Sequence, residues 1–472
     1  MTGIPYGITA YRYYSKQPQL THNYAAELNA PVLAIPPSER AWPRYREILQ
    51  KLDTTLPPEI WSNESYMNSP EPEAVREHAE WEKIRYLFPL VREAASMPKL
   101  GFILRDQHDP ADLAWIYRSD ASGQSPIPKE PSENPLLLTV LLPHLDAIRT
   151  LTKWLRFDAR IAAEQGDGAT AAADMIACLQ MADQIRESQL LVADARSWTL
   201  FSSTINVMGN IIAEHTDVLN REQLLSLADQ INRYAGGGRL VPKLLSERMT
   251  FADLVQRVYN PDGEFRSEIA IRILDGEPDW WTRLGAPVVS DRYASRDEMT
   301  ERFDLLLETA ETAYEHPLWE CRQDSFFPDS TTETPAGPRY VLVSLLGPTA
   351  KNAYFRAQSA EQLRDAGLTV IALARYHLQH HRWPDELNAL VPQFLPDIPP
   401  DRFTGEPLKY RIADGTPVLY SVGADRDDDG GQPPPGKDGN ERAASWVPPD
   451  DASSAPDGDW VLWPAKQMKS ND

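Results

Sequence analysis

The sequence predicts a mainly α-helical protein, a multi-helix domain followed by a C-terminal α+β domain in which a long helix packs on a small antiparallel sheet. Three observations carry that prediction. Between residues 134 and 235 apolar side chains recur at helical spacing, as in the run holding Ala173, Ile176, Ala177, Leu179 and Met181. Gly166-Asp167-Gly168 interrupts this stretch and reads as the turn of an antiparallel helical hairpin. After a helical pattern over 349–381, short strand-like runs at 408–412 and 418–421 flank Asp414-Gly415, a hairpin turn signal.

Taken in order, residues 1–37 contain Pro18, Pro31, Pro36 and Pro37 and are expected to be extended. A helical domain then spans 38–325. Its first helix, over 38–52, has Ser38 as N-cap and Pro43 in its first turns. A long helix follows from residue 72 to 95, with Val75, His78, Trp81, Ile84, Leu87 and Val91 on one face. Residues 119–134 are Ser- and Pro-rich and read as a loop. The hairpin comprises helices over 136–165 and 169–188, and further helices are expected at 193–214, 221–235 and 240–258, with Gly236-Gly237-Gly238 stopping the second of these. The hairpin resembles one tetratricopeptide-type unit, but no 34-residue recurrence supports a solenoid. Periodicity weakens over 260–297, where Trp280-Trp281 either caps the core or forms a binding patch, the cap being the preferred reading. A helix over 296–315 leads to a boundary rich in Asp, Thr and Pro at 322–339. The second domain, 340–464, holds the helix over 349–381, a short helix at 385–390, the two strands and a third at 459–463, with a disordered tail at 465–472.

Composition narrows the function classes. The net charge of -22, from 47 basic and 69 acidic residues, leaves no concentrated basic surface for nucleic acid and suits either divalent cations or a solvated acidic exterior. Cys178 and Cys321 are too few for a disulfide framework and lack zinc spacing. No run of apolar residues is long enough to span a bilayer, and the first residues are not a signal peptide. Tyr11, Tyr13 and Tyr14 beside Arg12 and Lys16 are residue types of a membrane–water interface, so the N-terminus reads in two ways: as the end of an anchor helix encoded upstream, or as an ordinary terminus.

The sharpest chemical motif is Asp425-Arg-Asp427-Asp-Asp429-Gly430. It places carboxylates at positions 1, 3 and 5 and glycine at 6 of a calcium loop, where alternate residues aim hard oxygens at one point. Position 12 is Gly436 rather than Glu and strands flank the loop, so this is no EF-hand. Asp457, Asp459 and the backbone carbonyls near Ser421 and Val422 are the candidates to complete the site. His377 and His381 share a helix face, as a zinc pair does, but have no evident third ligand, and cations at a helix C-terminus are favourable anyway. Arg105 to Asp109 brings acid and base types together in a polar loop. GxSxG, Walker A and HExxH signatures do not occur.

The pieces ARYHLQHHRWPDELNALVPQFLP, DIPPDRFTGEPLKYRI, VLYSVGAD followed by DGG, and GDWVLWP occur in that order over 367–464. Together they resemble the globular head of the major pseudopilin of type II secretion systems, with its spine helix, bend, turn, glycine loop and terminal strand. The resemblance implies a calcium ion pinning the loop, held by Asp425 and the later aspartates with Asp457 or Asp459. About 340 residues precede the spine helix here, which argues against polymerisation into a pseudopilus. The whole chain is similar to uncharacterised bacterial envelope proteins that join an anchor, a helical domain and such a head. The expected role is a non-enzymatic structural or interaction protein of the periplasm or cell envelope, binding Ca2+ and other envelope proteins, touching membrane only through an upstream anchor. The alternative is a hydrolase with its active site in the helical domain.

Overall fold

The interruption at residues 166–168 makes the turn its composition predicts. Gly166 takes a positive φ of 77°, Asp167 caps the next helix by accepting from Thr170 N–H at 3.0 Å, and Gly168 leaves no room for a Cβ against the carbonyl of Val218. A computed structural model describes residues 10–56, 79–104, 134–140, 142–274, 276–320, 338–346, 348–413, 415–434 and 457–464. Among them are 13 α-helices and a three-stranded antiparallel sheet, and 66% of the residues are helical when 3₁₀ turns are included.

The helices run α1 Tyr24–Leu33, α2 Trp42–Thr55, α3 Phe88–Ala95, α4 Pro143–Glu164, α5 Gly168–Gln184, α6 Leu191–Glu214, α7 Arg221–Arg233, α8 Leu245–Val258, α9 Ser267–Leu274, α10 Trp280–Val289, α11 Arg296–Tyr314, α12 Val341–Leu346 and α13 Pro348–His380. The strands are β1 Lys409–Ala413, β2 Thr416–Ser421 and β3 Trp460–Trp463, in the order β1-β2-β3. Tyr410 faces Leu419 across the first pair and Tyr420 faces Val461 across the second.

Several expectations are corrected. Residues 17–37 are not extended throughout, because they contain α1. Asn23 caps it by accepting from Ala26 N–H, and Pro31 falls in the last turn, where one lost hydrogen bond is tolerated. The helix expected to reach residue 95 unbroken is instead interrupted by a 3₁₀ turn at Arg85–Leu87. Pro89 cannot donate to the residue 85 carbonyl, and α3 starts afresh with this proline in its first turn. The expected 136–165 helix begins only at Pro143, for the same reason. The turn at Leu387–Leu390 is 3₁₀ rather than α. Trp280 and Trp281 do not cap the core: their rings stack on each other at 3.5 Å and remain 60% and 63% exposed. The 105–109 loop, Cys321, the start of the helix expected at residue 72, most of 322–339 and the tail 465–472 lie outside the described residues.

One apolar core runs from Ala25 to Trp463. The α4–α5 hairpin packs on α6, and α6 in turn lies along α13, so the long C-terminal helix is a bundle helix as well. Glycines set the spacing. A Cβ on Gly367 of α13 would lie 2.9 Å from Ile205 Cγ2 of α6, and one on Gly209 of α6 would lie 2.9 Å from the Trp463 ring of β3. Trp463 Nε1 donates to the Gly209 carbonyl at 2.7 Å, which fixes the sheet against α6. The acidic loop that leaves β2 is thereby held at a defined place.

Candidate metal centre

The support of this loop begins in α13. Arg402 reaches back to Asp365 at 2.5 Å and Glu361 at 3.1 Å on that helix, anchoring the turn before β1. Its neighbour Asp401 is buried and accepts from Phe403 N–H at 2.8 Å, Val422 N–H at 2.8 Å and the Ser421 hydroxyl at 3.0 Å. Burial pushes the Asp401 carboxyl up, against the pull of those donors. The end of β2 is thus tied to a turn, which is tied to the long helix.

Beyond Val422 the chain bends through left-handed conformations at Gly423, Arg426, Gly430 and Gly431, with φ of 78°, 66°, 68° and 77°. The returning strand closes over this bend. Asp425 Oδ2 accepts from Gly458 N–H at 2.7 Å, Asp459 Oδ2 accepts from Gly431 N–H at 2.6 Å, and Asp459 N–H donates to the Gln432 carbonyl at 2.7 Å.

Four carboxylates converge here. Asp425, Asp427, Asp429 and Asp457 each present an oxygen, and these oxygens lie within 4.8 Å of one another. Oxygens on opposite sides of a calcium ion at 2.3–2.6 Å stand about 5 Å apart, so the spacing fits such an ion, and the hard donor set suits calcium or magnesium rather than zinc. Asp428 turns the other way, accepting from the Tyr420 hydroxyl at 3.0 Å and pairing with Lys409 at 3.4 Å. The alternation read from the sequence is therefore kept: residues 425, 427 and 429 face inward and residue 428 outward.

Electrostatics agree with that division. Asp425 and Asp429 are pushed up by desolvation and then by the charges of their acidic neighbours. The Oδ1 of Asp425 and the Oδ2 of Asp429 are buried without a hydrogen-bond partner. Asp428 is held low against its own desolvation, because Gly430, Tyr420 and Lys409 donate to it. Asp459 stands beside the cluster and outside the set of four. It is fully buried, its Oδ1 has no partner, and burial pushes its carboxyl up to about 6.

Of the residues predicted for this site, the fold thus brings together Asp425, Asp427, Asp429 and Asp457. It places Asp459 adjacent, and the Ser421 hydroxyl and the Val422 N–H, which are not the backbone carbonyls expected as ligands, donate to Asp401. Asp401 itself was missed, and the signal for it was the Asp-Arg-Phe turn, where an Asp side chain accepts from a backbone N–H two residues on. The histidines go elsewhere: His377 lies against Trp383 and 3.7 Å from Asp217, and His380 against Tyr376. Among the described residues only the four aspartates group as metal ligands do, and no helix is long and apolar enough to cross a membrane. No known protein family, no curated protein and no solved structure matches this chain.

Proposed function

We propose that this chain is a non-enzymatic structural or interaction protein of the bacterial cell envelope, and that its C-terminal unit is a pseudopilin-like head ordered by calcium. The observation that carries the calcium reading is the convergence of four aspartates, two of them with buried oxygens that lack any donor. Uncompensated carboxylates so close repel one another, and a divalent cation removes that penalty. Asp425, Asp427, Asp429 and Asp457 would hold the ion, which supplies positive charge and cross-links the two ends of the loop. The chain's own part is to present those oxygens: Gly458 and Gly431 fix the carboxylates of Asp425 and Asp459, and Asp401 holds the end of β2. The envelope assignment rests on the sequence resemblance of 367–464 and on the order of its elements, spine helix, turn, two strands, acidic loop and terminal strand. Other envelope proteins are its expected partners.

Calorimetric unfolding of the full chain tests the site. Millimolar calcium should raise Tm relative to chelator, by the equivalent of about 2–3 kcal/mol when calcium is a hundredfold above its dissociation constant. Asp425→Ala should erase the shift. A wild-type Tm indifferent to calcium would remove the site, and a shift that survives in Asp425→Ala would move it elsewhere. Cell fractionation tests the location, and recovery of the protein wholly in the cytosol would overturn the envelope assignment.

A further inference from the structure

On the side of the molecule formed by α9 and α10, a cavity of about 540 Å³ opens between those helices and the N-terminal segment. Its size is that of small-molecule sites. Tyr14 lines one side, with its hydroxyl donating to the Arg283 carbonyl, and Ile269, Trp280 and Leu284 supply apolar walls. Three guanidinium groups, from Arg266, Arg272 and Arg283, gather here in a chain whose net charge is -22.

The three arginines are not alike. Arg266 is buried and spent: it forks onto Glu268 at 2.9 and 2.6 Å and stacks over the Tyr13 ring at 4.5 Å. Arg272 and Arg283 are about half exposed, and both grip one carboxylate, that of Glu277 in the turn between the helices. Glu277 Oε1 meets Arg272 Nε at 3.2 Å and Glu277 Oε2 meets Arg283 Nη2 at 2.6 Å. Arg283 is pre-aimed, because its Nε donates to the Pro278 carbonyl at 3.2 Å and leaves the outer nitrogens for an anion. The Glu277 side chain is 70% exposed, so solvent screens both ion pairs and little holds it in place. Beside this clamp stand the stacked, exposed indoles of Trp280 and Trp281.

We infer that this cavity binds a small organic carboxylate with an aromatic or aliphatic body through Arg272 and Arg283 of its wall, and that Glu277, which is not itself a wall residue, engages those two guanidiniums until a ligand carboxylate displaces it. Two guanidiniums each taking one oxygen of a planar carboxylate is the arrangement Glu277 already displays, and a ligand carboxylate reproduces it without new cost in charge. The ligand's apolar body covers Trp280 and Leu284, which gives it the advantage over Glu277.

Titration calorimetry on the full chain, with 4-phenylbutyrate as probe and 4-phenylbutyramide as its uncharged control, tests this. The acid should bind and the amide should not. Glu277→Ala, in an exposed turn, should bind the acid about fivefold more tightly, because the internal competitor is gone. Arg283→Ala should weaken binding at least about tenfold, with circular dichroism confirming the fold. Equal binding of acid and amide overturns the inference, as does affinity in Glu277→Ala that is unchanged or weaker, or no binding to that variant at about 10 mM acid.

Discussion

Asp158 of α4 and Asp174 of α5 meet in the bundle core beneath Arg92 of α3, which lies 3.8 and 2.5 Å from them. Trp81 Nε1 donates to Asp158 at 2.8 Å. Asp174 is fully buried and its Oδ2 lacks a donor, which a proton on that oxygen would remedy by letting it donate to Asp158. Burial pushes the Asp174 carboxyl up to about 9, against the pull of Arg92. In the unfolded chain it titrates near 4, so between about pH 4 and 9 the folded state holds a proton the unfolded state has lost, and stability falls as pH rises through that window. Asn keeps both hydrogen bonds and cannot ionise. Asp174→Asn should therefore flatten the pH dependence of Tm, standing about 5–7 °C above wild type at pH 9. An unchanged slope would show that Asp174 is already ionised at neutral pH. The acidic loop offers a second contrast at this scale: Asp428→Ala should keep the calcium response that Asp425→Ala loses, since Asp428 faces Tyr420 and Lys409.

Among the elements, the contact between α6 and β3 turns on a glycine. Replacing Gly with Ala in a helix ordinarily stabilises by up to about 1 kcal/mol. At Gly209 the new methyl would press on the Trp463 ring at 2.9 Å and disturb its hydrogen bond to the Gly209 carbonyl. Overpacking of this kind costs about 1–3 kcal/mol, so Gly209→Ala should be destabilising on balance, measured as a lower midpoint in urea. A midpoint raised by the substitution would mean that the indole shifts freely and that β3 is only loosely docked. The same geometry explains why the sheet needs no large face of its own, because the helix supplies the surface that three short strands lack.

Across the whole molecule, α13 packs on both sides at once, against α6 and α7 of the bundle and against β3 of the sheet. Apolar contacts run without a gap from Ala25 to Trp463. Heating should accordingly give one cooperative transition for the described fold, and calcium should shift that whole transition rather than a separate C-terminal step. Two resolved calorimetric transitions, with only the second moved by calcium, would show that the C-terminal sheet and its loop melt alone.

The sequence by itself determined the local features, because each depends on neighbours along the chain. Helical periodicity identified the α4–α5 hairpin, Gly166-Asp167-Gly168 identified its turn, and the spacing of Asp425, Asp427 and Asp429 identified the face of the loop that points inward. Local rules failed where two of them compete, as at Pro31, which a helix accepted in its last turn, and at Pro89, which broke one. Only tertiary structure decided the rest. Asp457 joins the cluster because β3 returns beside β2, Asp401 matters because β2 ends against it, and Trp280 with Trp281 stays in solvent because α10 buries only Ala286 and Pro287. These outcomes depend on which distant surfaces meet, and a single chain of letters does not state that pairing.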